Sequence, residues 1–180
     1  MEQLEEHAEK DELHNNYKGL VWALLLKGRI FQKLAQHPVI LNISNTLLGQ
    51  NAQISSLSAN TVLPGMKAQV PHLDYPYYRH FLPTDNPHIL DNSPPLALQF
   101  VTMITEFTNE NGGTAVRPYS HITPRYPDDQ EDFFKNAIQM TGHPGDVIIF
   151  AGASQHCAMP NTSKKYRIGI LQHMAPAYLR

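Results

Sequence analysis

A mainly β fold, a double-sheet jelly roll with helices packed outside it, is predicted by three features of this sequence. Downstream of residue 50, short stretches rich in β-branched and aromatic residues recur at 52–63, 96–107, 147–150 and 166–174. Turn signals separate them: Pro64-Gly65, Asn111-Gly112-Gly113, Pro144-Gly145-Asp146 and Pro160-Asn161-Thr162-Ser163. Upstream, the apolar residues recur at helical rather than strand spacing. Helices followed by many short strands suit a β double layer with helices outside, and a jelly roll is the common solution that gathers distant strands around one pocket. The 180 residues suit one domain. Residues 1–49 are expected as N-terminal helices and 50–180 as the jelly-roll core.

Residues 1–27 begin polar and end in Leu20-Val21-Trp22-Ala23-Leu24-Leu25-Leu26, which predicts a helix solvated at its start, buried at its end and broken by Gly28. A second helical pattern runs from about 30 to 48, with Pro38 restarting it and Gly49 capping it. The alternation at 52–63 predicts a strand, and a second strand is expected from Gln69 through Tyr75. Prolines and aromatics then crowd residues 76–95, a long irregular segment of the kind that walls a binding site. Asn111-Gly112-Gly113 is the sharpest hairpin signal. It is followed by a short strand at 114–117, then by a polar loop and short helix at 124–137. Val147-Ile148-Ile149-Phe150 reads as a buried strand, His156 opens another, and 166–174 is the last.

The formal net charge of −2 gives no electrostatic reason to expect nucleic acid or an anionic membrane as partner. The longest apolar run, 20–26, is too short to span a bilayer. Cys157 is the only cysteine, which excludes an internal disulfide or a cysteine-rich zinc site and fits a reducing compartment. Residues 1–10 are acidic rather than basic, unlike a signal peptide. A cytoplasmic protein acting on a small molecule, as monomer or homodimer, is the expectation.

The chemistry centres on Gln69-Val70-Pro71-His72-Leu73-Asp74-Tyr75. In extended chain His72 and Asp74 share a face, and an imidazole beside a carboxylate supplies two thirds of the triad that holds non-heme Fe(II) with positions open. His156, after a turn, a strand and the small-residue bend at 151–154, stands where a third ligand at a pocket mouth is needed. Arg167 follows eleven residues on, across a turn, and a hairpin of that length is expected to bring it beside the metal. An arginine buried there needs an anion, because leaving one member of a buried pair unpartnered costs about 3–5 kcal/mol. A dicarboxylic keto acid, chelating the metal at one end and meeting the guanidinium at the other, satisfies both. Glu106 or Asp146 as a structural partner of Arg167 is the alternative. Cys157 is expected to face away from the site, Asp146 to be a turn residue, and His121 to brace its loop.

His72-x-Asp74, Asn111-Gly112, Pro118-x-Ser120-His121, Gly145-Asp146, His156, Asn161-Thr162-Ser163 and Arg167 resemble, in order and spacing, the phytanoyl-CoA dioxygenase family of Fe(II)/2-oxoglutarate oxygenases. The resemblance covers roughly residues 45–175. Residues 106–114 and Gln69 look like the branch that includes fungal and bacterial natural-product oxygenases. The resemblance implies a double-stranded β-helix, the cupin-like jelly roll. It implies His72, Asp74 and His156 as iron ligands and Arg167 as the anchor of 2-oxoglutarate. Gln69, Thr114 and Tyr78 would be further cosubstrate-pocket residues. O2 would be the oxidant, and succinate and CO2 would leave as a small metabolite is hydroxylated. Asp74 occupies the position that halogenase relatives keep small for chloride, which favours hydroxylation or a related oxidation. Tyr119 replaces the family's usual glycine, Ala158 stands where many members have serine, and the chain is shorter than most members. A cupin-like metalloenzyme that does not use 2-oxoglutarate, and a non-catalytic binding module of the same fold, are the competing readings.

Overall fold

The computed structural model describes residues 19–74, 95–122, 127 and 129–179. Among them the strands form two antiparallel sheets. The larger has the order β1 (Leu20–Val21), β2 (Gln53–Val62), β8 (Arg167–Ala175), β3 (Leu98–Met103) and β6 (Val147–Ala151). The smaller has the order β5 (Ile138–Gln139), β4 (Thr114–Val116) and β7 (His156–Ala158). Strands adjacent in sequence mostly lie in different sheets, as a jelly roll requires.

Side-chain alternation divides the larger sheet into two faces. On the outer face Leu57, Ala59, Ile168 and Ile170 pack with Val21, Leu24, Phe31 and Ala35, and Leu98, Phe100 and Met174 pack with Ile40 and Leu48. The covering residues come largely from α1 (Arg29–Ala35) and α2 (Pro38–Leu48), which the proline restarts as its sequence position predicts. On the inner face Val101, Met103 and Phe150 meet Phe107 and Val116, closing the core between the sheets. The smaller sheet turns Ala115 and Cys157 outward, under Phe133 of α3 (Gln130–Asn136). That helix is capped by the Asp129 carboxylate, which accepts the Glu131 and Asp132 N–H groups.

Cys157 is therefore a core residue, and burial pushes its thiol up to about 12. The native protein should leave Cys157 unmodified by iodoacetamide near pH 8, with reaction appearing only on denaturation; mass spectrometry reads this directly.

Five expectations are corrected. Leu20 and Val21 are not helical but pair with Asn60 and Ala59, and Leu24–Leu26 forms only a 3₁₀ turn after Ala23 at φ 55°. A short helix has a costly nucleus, whereas the β2 edge offers paired backbone and carries Val21 into the core. Residues 69–74 form no regular strand; they run beside β7, joined by one bridge between His72 and His156. Asn111-Gly112 does not close a hairpin, since β3 and β4 belong to different sheets. β7 and β8 are likewise not hairpin partners, so Arg167 comes from the opposing sheet rather than from a neighbouring strand. Finally, β6 is an edge strand, and Val147 and Ile149 remain 39% and 41% exposed on its outer face.

Candidate metal and cosubstrate site

Residues 69–74 hold their course through backbone pairs to β7 and the bend before it. Gln69 N–H donates to the Ala158 carbonyl, His72 and His156 exchange both backbone bonds at 3.0 Å, and Asp74 N–H donates to Gly152 O. This ladder places the His72 ring 4.5 Å from that of His156, centroid to centroid. The Asp74 carboxylate completes the group, with Oδ1 3.7 Å from His72 Nε2 and Oδ2 3.3 Å from His156 Nε2. One donor atom from each of the three lies within 4.8 Å of the others, the spacing a single metal ion spans.

The two imidazoles are set in the same way. His72 Nδ1 lies 2.8 Å from Val70 O, and His156 Nδ1 lies 2.9 Å from Ser154 O. A carbonyl only accepts, so Nδ1 carries the proton in each contact and Nε2 is the nitrogen directed at Asp74. Fixing the ligand tautomer through the distal nitrogen is what metal-binding histidines need. Phe150 backs His156 at 4.7 Å between ring centroids. Ser120 braces the approach to β7: its hydroxyl donates to Arg117 O and accepts the Gln155 N–H. The intervening Tyr119 adopts φ 62°, a left-handed conformation that glycine takes without the Cβ penalty. His121 and Asp146 take no part among the described residues in this cluster; Asp146 instead accepts the His143 N–H in its turn.

Burial disfavours the charged form of all three groups; partners overcome it at Asp74 and His156 but not at His72. It raises the Asp74 carboxyl, yet hydrogen bonds from His156 and His173, and their charges, hold Asp74 far below the usual carboxylate range. It presses the His156 imidazole down, but its hydrogen bond and attraction to Asp74 prevail and its pKa is raised. His72 is lowered, by burial and then by the charge of His156.

Arg167, 1% exposed, enters from the inner face of β8. Its Nε and Nη2 both donate to Gly112 O at 2.9 and 2.7 Å, and its guanidinium lies 4.7 Å from the Phe107 centroid. No carboxylate pairs with it among the described residues, so the Glu106 and Asp146 alternative does not hold. The sequence around Gly112 explains the aim of that carbonyl. The Asn111 side chain accepts the Thr108 N–H and donates to Glu106 O, tightening the turn. Gly112 follows at φ 84°, where a Cβ would fall 2.7 Å from Val62 Cγ1 and 2.9 Å from Met159 O. Only glycine fits there.

The remaining nitrogen, Nη1, is buried without a hydrogen-bond partner among the described residues. Burial presses the guanidinium down to about 9, so it is still charged at neutral pH. Beside it Gly169 packs closely, since a Cβ there would fall 3.0 Å from Phe107 Cζ, 3.3 Å from Val101 Cγ1 and 3.5 Å from Nη1. Farther along the same face, Leu171 is the one residue of β8 that is not buried. A buried guanidinium with one nitrogen left without a hydrogen-bond partner has the chemistry to take an anionic group.

The other expected contacts fare differently. Gln69 is tied to β7 through its side chain, Oε1 accepting the Ala158 N–H at 2.9 Å. Thr114 is buried opposite Ala158 on β4, alternating to the same face as Val116. Tyr78 lies outside the described residues. The sequence reading missed His173, whose Nε2 lies 3.1 Å from Asp74 Oδ2. The signal was available: with Arg167 inward, period two carries Gly169, Leu171 and His173 to the same face.

The sequence profile of the family described as Phytanoyl-CoA dioxygenase (PhyH) matches residues 2–169. The chain belongs to the phytanoyl-CoA dioxygenase family. Dioxygenase andF of Emericella variicolor is 35% identical over 120 residues, 64% of this chain and 38% of that protein. Dioxygenase trt7 of Aspergillus terreus (strain NIH 2624 / FGSC A1156) is 29% identical over 161 residues, 85% of this chain and 52% of that protein. The chain thus spans about half the length of these curated relatives, or less. The crystal structure of EctD from S. alaskensis, with 2-oxoglutarate and 5-hydroxyectoine, aligns with a TM-score of 0.73 at 21% identity, over 94% of this chain and 60% of that one. At that identity the likeness is one of fold, the jelly roll.

Proposed function

We propose that this phytanoyl-CoA dioxygenase family chain carries the core of an Fe(II)- and 2-oxoglutarate-dependent dioxygenase that hydroxylates, or otherwise oxidises, a small organic metabolite, with release of succinate and CO2. His72, Asp74 and His156 hold the iron; Arg167 takes the distal carboxylate of 2-oxoglutarate through Nη1 and the adjacent edge of its fork. Gln69 and Thr114, flanking β7, contact the cosubstrate. The observation that carries the reading is the pair of imidazoles locked through Nδ1, with both Nε2 atoms converging on Asp74. When bound, iron with 2-oxoglutarate supplies the oxidising power from O2. The protein's share is to fix the donor atoms, neutralise the cosubstrate's far charge and keep that end dry. A cupin-like enzyme without 2-oxoglutarate would leave the buried Nη1 of Arg167 unexplained.

Anaerobic addition of Fe(II) and then 2-oxoglutarate should develop the weak visible charge-transfer band of the chelate, and admitting O2 should convert 2-oxoglutarate to succinate. Absence of the band in the wild-type protein would overturn the reading.

Metal binding should also depend on pH in a defined direction. In the metal-free protein Asp74 raises the His156 pKa above its ordinary value of 6.5, so a bound metal must displace that proton. Co(II) affinity should be flat above the raised pKa and fall by about tenfold per pH unit below it. The lowered His72 adds no competing proton at neutral pH. Co(II) titrations between about pH 6 and about pH 8 check the slope.

A further inference from the structure

His173 lies on the inner face of β8, 4% exposed, and stands opposite Gln99 of β3 in the sheet register. Its Nε2 is 3.1 Å from Asp74 Oδ2, shorter than the 3.3 Å from that oxygen to His156 Nε2. It is not one of the three residues whose donor atoms converge. His72 and His156 are each held by a backbone carbonyl. Asp74 has no such tether on its carboxylate among the described residues, where it faces the three imidazoles of His72, His156 and His173.

We infer that His173 is the positioning residue of the metal site. Its Nε2–H holds one carboxylate oxygen of Asp74, so that the side chain offers the metal a single oxygen and leaves the neighbouring position open. This inference rests on the proposed metal site and adds a residue to it. A free carboxylate swings about its terminal torsion, which is broad and two-fold, and can chelate through both oxygens. A second chelating oxygen would take a position that cosubstrate and oxidant need. A donor fixed on β8, a central strand paired on both sides to β2 and β3, removes that freedom. Outer partners of this kind typically change metal affinity by about 10–100-fold when removed.

Co(II) titration, followed by affinity and by the visible ligand-field spectrum, tests this without turnover. His173→Phe and His173→Leu, which lack a donor, should lose about 10–100-fold in Co(II) affinity and shift the ligand-field bands. His173→Gln, which can present an N–H to Asp74, should recover most of the affinity and the wild-type spectrum. Wild-type affinity in His173→Phe, or a glutamine variant no better than phenylalanine, would overturn the inference. Should the donorless variants fail to fold, ¹⁵N-histidine NMR of the wild-type protein loaded with Zn(II) decides. A proton retained on His173 Nε2 supports the positioning role; its loss on metal binding would make His173 a ligand and overturn it. Failure of the wild-type protein to bind Co(II) at all would instead sink the metal site itself.

Discussion

Asp74→Ala should reduce Co(II) and Fe(II) affinity by two to three orders of magnitude and abolish succinate formation. Zinc sites of four ligands are worth about 10–16 kcal/mol, so a single ligand carries about 2.5–4 kcal/mol, and each 1.4 kcal/mol is about tenfold. Asp74 is also the only anion of the cluster, and with it goes the charge that makes two imidazoles attractive to a cation. The metal-free variant should show a second effect. The folded-state pKa of Asp74 is depressed, so the carboxylate contributes stability at neutral pH that is lost only as pH falls through that low value. Thermal unfolding should therefore find Asp74→Ala less stable than wild type near neutrality, with the gap closing in strong acid. An unchanged metal affinity would remove Asp74 from the ligand set.

Arg167→Ala should separate cosubstrate binding from metal binding. Truncating one side of a buried charge-assisted pair costs about 2–5 kcal/mol, so 2-oxoglutarate affinity should fall by about 30-fold to several thousandfold. Co(II) affinity measured without 2-oxoglutarate should stay close to wild type, because Arg167 is outside the converging donor set. The fold also feels the change. Gly112 O loses both of its guanidinium donors, an orphaned acceptor worth about 1–3 kcal/mol, offset in part by removing a buried charge. Arg167→Lys should not restore binding. A lysine carries the charge but lacks the fork that holds Gly112 with one edge and leaves Nη1 free. Equal 2-oxoglutarate affinity in wild type and Arg167→Ala would point to a different anion for this arginine.

How far the site was legible depended on whether each residue's role is local. His72-x-Asp74 could be read because two residues in extended chain share a face whether or not a regular strand forms, and the structure keeps the sharing while dispensing with the strand. Helices at 30–48, the cap at Gly49 and the strands at 53–62 and 167–175 followed from periodicity and turn residues alone. Asn111-Gly112 was recognised as a turn but misassigned as a hairpin. Its purpose is to aim one carbonyl at Arg167, and nothing local to the turn reports on a partner fifty-five residues away. β6 misled in the opposite sense: Val147-Ile148-Ile149-Phe150 has the composition of a buried strand, but burial belongs to its place at the sheet edge.

The class of the fold and the converging donors His72, Asp74 and His156 were legible in the chain alone, because alternation and turn chemistry act within a few residues. Which groups meet depends on how the two sheets stack. The tertiary structure brought Arg167 in from the opposing sheet, made Leu20 and Val21 an edge strand rather than the end of a helix, and set His173 against Asp74. Those are contacts between distant segments, and they are fixed by how two sheets stack and register, which no short stretch of this chain encodes.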